Sequence, residues 1–178
     1  MNTTISPDVA LQKLINDHRR VQDLFTLFEE EDDAELRHEI GQKAINALTR
    51  HALLEETLLY PIAQAATGED ALVEDHREEH QLMKSIIAEA KLLRPGRDFD
   101  RKFRSLISIV KSHIEKEEGI LFPLLEKSGV DLKKLGRKIT QYRPEVSGSS
   151  MGVVLVGLVA AAGAYYWLSQ RPNSHSRP

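Results

Sequence analysis

Cysteine is absent from the chain, which removes disulfides, thiolate metal sites, iron–sulfur clusters and a cysteine nucleophile together. Any metal must therefore be held by His and carboxylate. Strand signals are missing too: no hairpin dipeptide lies between alternating β-branched runs, and no glycine-rich loop offers a phosphate cradle. A surplus of base is also lacking. All 27 acidic residues precede Met151, against 22 of the 24 Lys and Arg, so residues 1–150 carry −5 with neutral His. A duplex-binding face needs basic residues gathered to neutralise phosphates, so nucleic acid is not an expected partner. Met1 to Leu14 shows no cationic start leading into an apolar run, and a cleaved secretory signal is not expected.

What is present is helical periodicity. Apolar residues recur at helix spacing in four stretches. The first carries Leu11, Leu14, Ile15, His18, Val21, Phe25 and Phe28 after a Ser6-Pro7-Asp8 start signal. The second carries Ile40, Ala44, Leu48, His51, Glu55, Leu58 and Ile62. The third carries Val73, His76, His80, Met83, Ile87 and Ala90, and the fourth Phe99, Phe103, Leu106, Val110, His113, Glu117 and Leu121. Breaks at Glu29 to Asp33, Thr67-Gly68 and Arg94-Pro95-Gly96 are short enough to make neighbouring helices antiparallel. The expected fold is all-α, an up-down-up-down antiparallel four-helix bundle.

The two halves match at a constant offset of 62 residues: His18 with His80, His51 with His113, Glu55 with Glu117, and Tyr60-Pro61 with Phe122-Pro123. Asp17 with Glu79, Glu56 with Glu118, and Leu59 with Leu121 keep the register. A repeated helix pair gives approximate two-fold symmetry and lets ligands from both halves converge.

Beyond the bundle, expected over 1–128, a basic amphipathic segment (Leu132, Lys133, Lys134, Leu135, Lys138, Ile139) and a polar linker occupy 129–150. Residues 151–168 carry no charge. At about 1.5 Å per residue they would span roughly 27 Å, close to the ~30 Å of a bilayer core. Tyr165, Tyr166 and Trp167 sit where an interfacial aromatic belt would. A fifth, buried core helix is the alternative, but a soluble helix of this length normally keeps a polar face. The expectation is one C-terminal transmembrane helix followed by a short polar tail, 169–178. Lys133, Lys134, Arg137, Lys138 and Arg143 before the run outnumber Arg171 and Arg177 after it, which predicts a bundle on the cytoplasmic side. Gly157 with Ala161, and Ala160 with Ala164, offer a small-residue face through which two anchors could form a homodimer.

Of seven His, His38 and His175 look incidental. The other five lie in apolar stripes, and burying imidazoles without partners costs roughly 1–3 kcal/mol apiece. A shared metal centre removes that cost. His76 and His80, His51 and Glu55, and His113 and Glu117 are each four apart and project from one helix face. Five imidazoles and two carboxylates without thiolate suit a pair of iron or manganese ions, and a four-helix core is a recurrent place to build one.

His18, then His51-x-x-x-Glu55, His76-x-x-x-His80 and His113-x-x-x-Glu117 resemble the cation-binding domain of the hemerythrin family. The endings Leu58-Leu59-Tyr60-Pro61 and Ile120-Leu121-Phe122-Pro123 are similar as well, and the resemblance covers about residues 8 to 127. It implies that His76, His80 and His113 bind one iron, that His18 and His51 bind the other, and that Glu55 and Glu117 bridge them. The second iron would then keep an open position for dioxygen, nitric oxide or peroxide.

Classical oxygen carriers of that family place the second carboxylate as an aspartate five residues after its His, where this chain has Glu118. Glu117 stays about 40° from His113 around the helix and Glu118 about 140°, so Glu117 is the expected ligand. Glu118 and Glu56 are expected as solvated or salt-bridged surface residues, and Asp17 and Glu79 as exposed charges rather than acceptors for an imidazole N–H. Tyr60 and Phe122 are expected to pack, and Pro61 and Pro123 to bend or stop their helices.

The leading functional expectation is a non-haem di-iron protein that binds dioxygen reversibly or senses oxygen or iron at a membrane. The alternatives are a di-iron enzyme turning over peroxide, nitric oxide or dioxygen, and a metal-free helical adaptor. Manganese or zinc could take the same ligands.

Overall fold

The computed structural model describes residues 9–142. The polypeptide forms α1 (Val9–Glu30), α2 (Ala34–Leu54), α3 (Tyr60–Thr67), α4 (Asp70–Ala90), α5 (Arg97–Lys116), α6 (Phe122–Lys127) and α7 (Leu132–Gln141). One π-helical turn, Glu55–Leu59, joins α2 to α3, and another, Glu117–Leu121, joins α5 to α6. The described residues thus make five helical rods, the last being the short α7, and contain no strand. Connections of three, two and six residues (31–33, 68–69 and 91–96) link the first four rods, α1 lies against α2, and α4 lies against α5. Links so short turn each rod back along its neighbour. The expected all-α bundle is present.

Local chemistry sets the rod ends. The Asp33 carboxylate accepts from the amides of Glu35 and Leu36, satisfying two of the free N–H groups that open α2. Asp131 does the same for the Lys134 amide at the start of α7. Gly68 ends α3 at φ 70°, a left-handed cap that a Cβ disfavours. The Ser6-Pro7-Asp8 start signal lies outside the described residues.

Neither proline stops its helix. The amides of Tyr60 and Phe122 bond back five residues, to the carbonyls of Glu55 and Glu117. Pro61 and Pro123 then fall in the first turn of the resumed α-helix, where a missing N–H removes no bond. The widened turn absorbs the clash that a proline ring makes with an ordinary helical carbonyl.

Apolar side chains collect in two clusters. One joins Val21, Phe25, Phe28, Ala44, Ile45, Met83, Ile87, Phe99, Phe103 and Val110, and the other Leu11, Leu14, Leu54, Leu59, Val73, Leu121, Leu125, Leu135 and Ile139. The helix order puts a layer of buried His and Glu between these clusters. The basic amphipathic segment is α7, which buries Leu135 and Ile139 and packs against α1. At Gly41 the phenylalanine cluster comes close against the backbone: a Cβ there would sit 2.6 Å from Phe99 Cζ and 2.8 Å from Cε1.

Among the described residues no helix is long and apolar enough to cross a membrane, because every long rod carries charges on its outer face. This corrects the expected single-pass anchor and the cytoplasmic placement drawn from it. Residues 151–168, the small-residue dimer face within them, the tail 169–178 and the linker from 143 lie outside the described residues.

The close approach at Gly41 generates a prediction. Alanine has a helix propensity about 1 kcal/mol better than glycine, yet overpacking a buried ring typically costs about 1–3 kcal/mol. Gly41→Ala is expected to lower the urea midpoint at unchanged m-value, because the Phe99 ring is fully buried and stacked on Phe103.

Candidate metal centre

Among the described residues the buried polar and charged side chains are His18, His51, Glu55, His76, His80, His113 and Glu117. They are the seven expected ligands. One comes from α1, one from α2, two from α4 and one from α5, and each of the two carboxylates opens a π-turn. Their inward atoms converge. His18 Nε2 is 2.9 Å from His51 Nε2 and 3.4 Å from Glu117 Oε2, and His51 Nε2 is 2.9 Å from Glu55 Oε1. On the other side, His80 Nε2 is 3.2 Å from His113 Nε2 and 3.4 Å from Glu55 Oε2, and His113 Nε2 is 3.7 Å from Glu117 Oε2.

These contacts define groups with metal-ligand spacing. His18, His51, Glu55 and Glu117 bring ligand atoms within 4.8 Å of one another; so do Glu55, His80 and His113, and so do His76, His113 and Glu117. Glu55 sends Oε1 toward His51 and Oε2 toward His80, so one carboxylate spans both sides.

The donor set fits a cation. Both oxygens of Glu55, Glu117 Oε2, both nitrogens of His76 and His51 Nδ1 are buried without a hydrogen-bond partner. Unpaired buried polar atoms cost roughly 1–3 kcal/mol each. Three imidazoles also turn Nε2 inward. His18 Nδ1 donates to Glu118 Oε1 (2.8 Å), His80 Nδ1 to Glu56 Oε1 (3.0 Å) and His113 Nδ1 to Glu79 Oε2 (2.8 Å). With one proton held on Nδ1, each Nε2 is the nitrogen left to face the centre, and it offers a lone pair to a metal once any second ring proton has left.

Glu118 and Glu56 are salt-bridged as expected, but both, and Glu79 with them, also accept from an imidazole, which was not expected. Glu118 is anchored by Arg19 and Glu56 by Lys84, and Glu79 is held by Lys116, itself 2.9 Å from Asp75. Glu118 and Glu56 point away from their own ligand face, as the helix angle requires, but that direction leads to the neighbouring rod rather than to water. Their shared register in the 62-residue repeat was the available signal. Glu79 orients His113, not the adjacent His80. Asp17, its repeat partner, instead pairs with Lys13 and Arg20, as an exposed charge would. Burial opposes the negative charge on Glu79, but His113 and Lys116 outweigh it and hold the carboxyl at about 2.

Tyr60 enters the site, which packing alone did not foretell. Its hydroxyl lies 3.1 Å from His80 Nε2 and 3.1 Å from Glu117 Oε1. Burial, then the charge of Glu117, raises its pKa well above that of an ordinary phenol. Phe122, its repeat counterpart, stacks on His18 with centroids 6.0 Å apart. His38 lies elsewhere, against the Leu93 carbonyl and the Phe99 ring. His175 is outside the described residues.

Charge balance explains the metal-free state. Burial works against a charge on His18, but Glu117, Glu55 and Glu118 outweigh it and push its pKa up to about 9. His80 likewise rises to about 9, with burial outweighed by Glu55 and Glu56. Burial also opposes the Glu55 charge, but His51 and His80 pull its pKa well below the ordinary carboxyl value. His76 moves the other way, lowered by burial with a further push from His113.

The profile of the Hemerythrin HHE cation binding domain matches residues 9–125, and the chain belongs to that family. Over 117 residues it is 32% identical to a protein of Nostoc sp. (strain PCC 7120) named DNA nickase, covering 65% of this chain and 33% of that one. It is 26% identical over 117 residues to an uncharacterized hemerythrin-like protein of Schizosaccharomyces pombe, covering 64% and 58%. The chain thus spans a third to somewhat over half of these relatives' lengths. No solved structure matches it significantly. The family supplies metal-cation binding, and the His and Glu clusters are in place for it.

The geometry sets three expectations. His18 and His80 titrate near 6.5 when unfolded and near 9 when folded without metal, so the stability they contribute is complete below pH 6.5 and is lost as pH rises through 9. The metal-free protein is expected to lose Tm over that window. Metal binding needs deprotonated imidazole, so the gain in Tm on adding metal should grow with pH over the same window. Glu56→Gln with Glu118→Gln is expected to weaken metal affinity by about 10–100-fold, measured by competition with a chelator.

Proposed function

We propose that the protein is a non-haem di-iron protein that binds dioxygen reversibly or reports oxygen or iron. The observation that carries this reading is the coincidence of the buried polar set with three overlapping ligand groups linked through Glu55, His113 and Glu117. His76, His80 and His113 would hold one ion, and His18 and His51 the other, with both carboxylates bridging. Iron suits imidazole and carboxylate without thiolate, and a pair of ferrous ions supplies the electrons that a bound diatomic ligand takes up.

The two subsites are unequal, which supports ligand binding at one of them. The 62-residue repeat places Leu14, a fully buried side chain, where the other half has His76. The His18 and His51 side therefore has one imidazole fewer and an apolar wall. Leu14 and Phe122 keep that side dry, and the ion pairs of Glu118 and Glu56 fix the imidazoles from outside. A dry, rigid site favours reversible binding, since water and protons promote departure of the reduced ligand with the metal's electrons.

The Nostoc relative is named for nicking DNA, but the matched region is a third of that protein. The surplus of acid in residues 1–150 favours a small ligand over a duplex.

Full-length protein loaded anaerobically with ferrous iron is expected to hold two irons per chain and to change its optical spectrum reversibly as air is admitted and removed. His113→Ala should lose at least half of that iron and the reversible change. Fewer than one iron per chain in the parent protein would overturn the reading.

A further inference from the structure

We propose that Tyr60 is a metal ligand, its phenolate oxygen completing six protein donors around the ion held by His76, His80 and His113, so that only the His18 and His51 side stays open. The inference rests on the two-ion reading above.

Convergence carries the first step. The buried Tyr60 hydroxyl lies 3.1 Å from both His80 Nε2 and Glu117 Oε1. Nearby, His80 Nε2 and His113 Nε2 meet at 3.2 Å. His80 and His113 turn Nδ1 outward to Glu56 and Glu79, so both Nε2 atoms face inward toward the phenol oxygen. Donor atoms gathered this closely, away from water, match the shell of a shared cation, which would replace the protons that link them without metal.

Separation carries the second step. Neighbouring donors of an octahedral ion with bonds of about 2.0–2.1 Å lie about 3 Å apart. Around His80 Nε2, Tyr60 Oη is at 3.1 Å, His113 Nε2 at 3.2 Å and Glu55 Oε2 at 3.4 Å. A tyrosine that merely steadied Glu117 would need only the Glu117 contact. The guanidinium of Arg77 lies 5.6 Å from the centre of the Tyr60 ring, where its charge favours electron-rich phenolate.

The repeat carries the third. At the position equivalent to Tyr60 stands Phe122, which bears no donor, and Leu14 replaces His76. His76, His80, His113, Tyr60, Glu55 and Glu117 would saturate one ion. His18, His51 and the same two carboxylates leave the other short of six. When the Tyr60 oxygen bonds to the metal its O–H bond breaks, and the proton passes to solvent.

The test uses full-length protein loaded anaerobically with ferrous iron and then oxidised by air. The wild type is expected to show a visible phenolate-to-ferric charge-transfer band and resonance-enhanced tyrosine ring vibrations. Tyr60→Phe should bind two irons per chain and lose both signals, while a variant with Tyr142, Tyr165 and Tyr166 changed to Phe should keep them. Two irons in the wild type without the band would overturn this proposal and leave the two-ion reading standing. Loss of the band in the triple variant, or its persistence in Tyr60→Phe, would overturn it equally. Fewer than one iron in the wild type would overturn both. Since the band is read on the wild type, a Tyr60→Phe chain that failed to fold would leave the test intact.

Discussion

Two carboxylates with no access to water, Glu55 and Glu117, impose the constraint on which everything else rests. A buried carboxylate is tolerated only beside compensating charge and hydrogen-bond donors. The bundle surrounds these two with five imidazoles and closes both ends of the layer with apolar side chains. Without metal, protons on His18 and His80 offset the negative charge. With metal, the same nitrogens become ligands, and the compensation no longer depends on pH in the same way. The two apolar clusters stabilise the fold, while the layer between them makes its stability depend on what occupies the centre.

Much of this was legible in the chain itself. The apolar periodicity located the rods and marked His18, and i, i+4 spacing identified the other six inward side chains because those rods are regular helices up to each glutamate. The rest depends on contacts between rods, which a one-dimensional pattern records poorly. Glu118 and Glu56 read as surface charges because their angle on their own helix is outward; only the neighbouring helix turns that direction into a contact with His18 or His80. Tyr60 read as packing because Phe122 occupies the matching place. The prolines read as bends or stops because a single sequence does not show that a wider turn will absorb them. The apolar run at 151–168 led to an anchor that finds no support among the described residues.

The repeat deserves weight for its failures as much as for its matches. Glu118 on His18 and Glu56 on His80 preserve the symmetry; Asp17 breaks it by turning to Lys13 and Arg20 where Glu79 reaches His113. Leu14 against His76 and Phe122 against Tyr60 break it further. Each departure removes a polar group from the His18 and His51 side, so the halves share a scaffold but divide the chemistry unequally.

The π-turns also carry a topological consequence. An α-helix advances by 100° per residue, so one residue taken up in a widened turn puts every side chain beyond it out of phase with those before it. Each of these rods is therefore two helices sharing an axis, with separate angular registers: one buries Ala44 and Leu48 or Phe103 and Leu106, and the other buries Tyr60 and Ala63 or Phe122 and Leu125. Glu55 and Glu117 occupy the seam. Deleting one residue within a seam would close it to an ordinary α-turn with both apolar faces still inward, whereas a deletion elsewhere in the rod would turn everything beyond it by about 100°; the extra residue is thus what lets the glutamate and the apolar face beyond it share one interior.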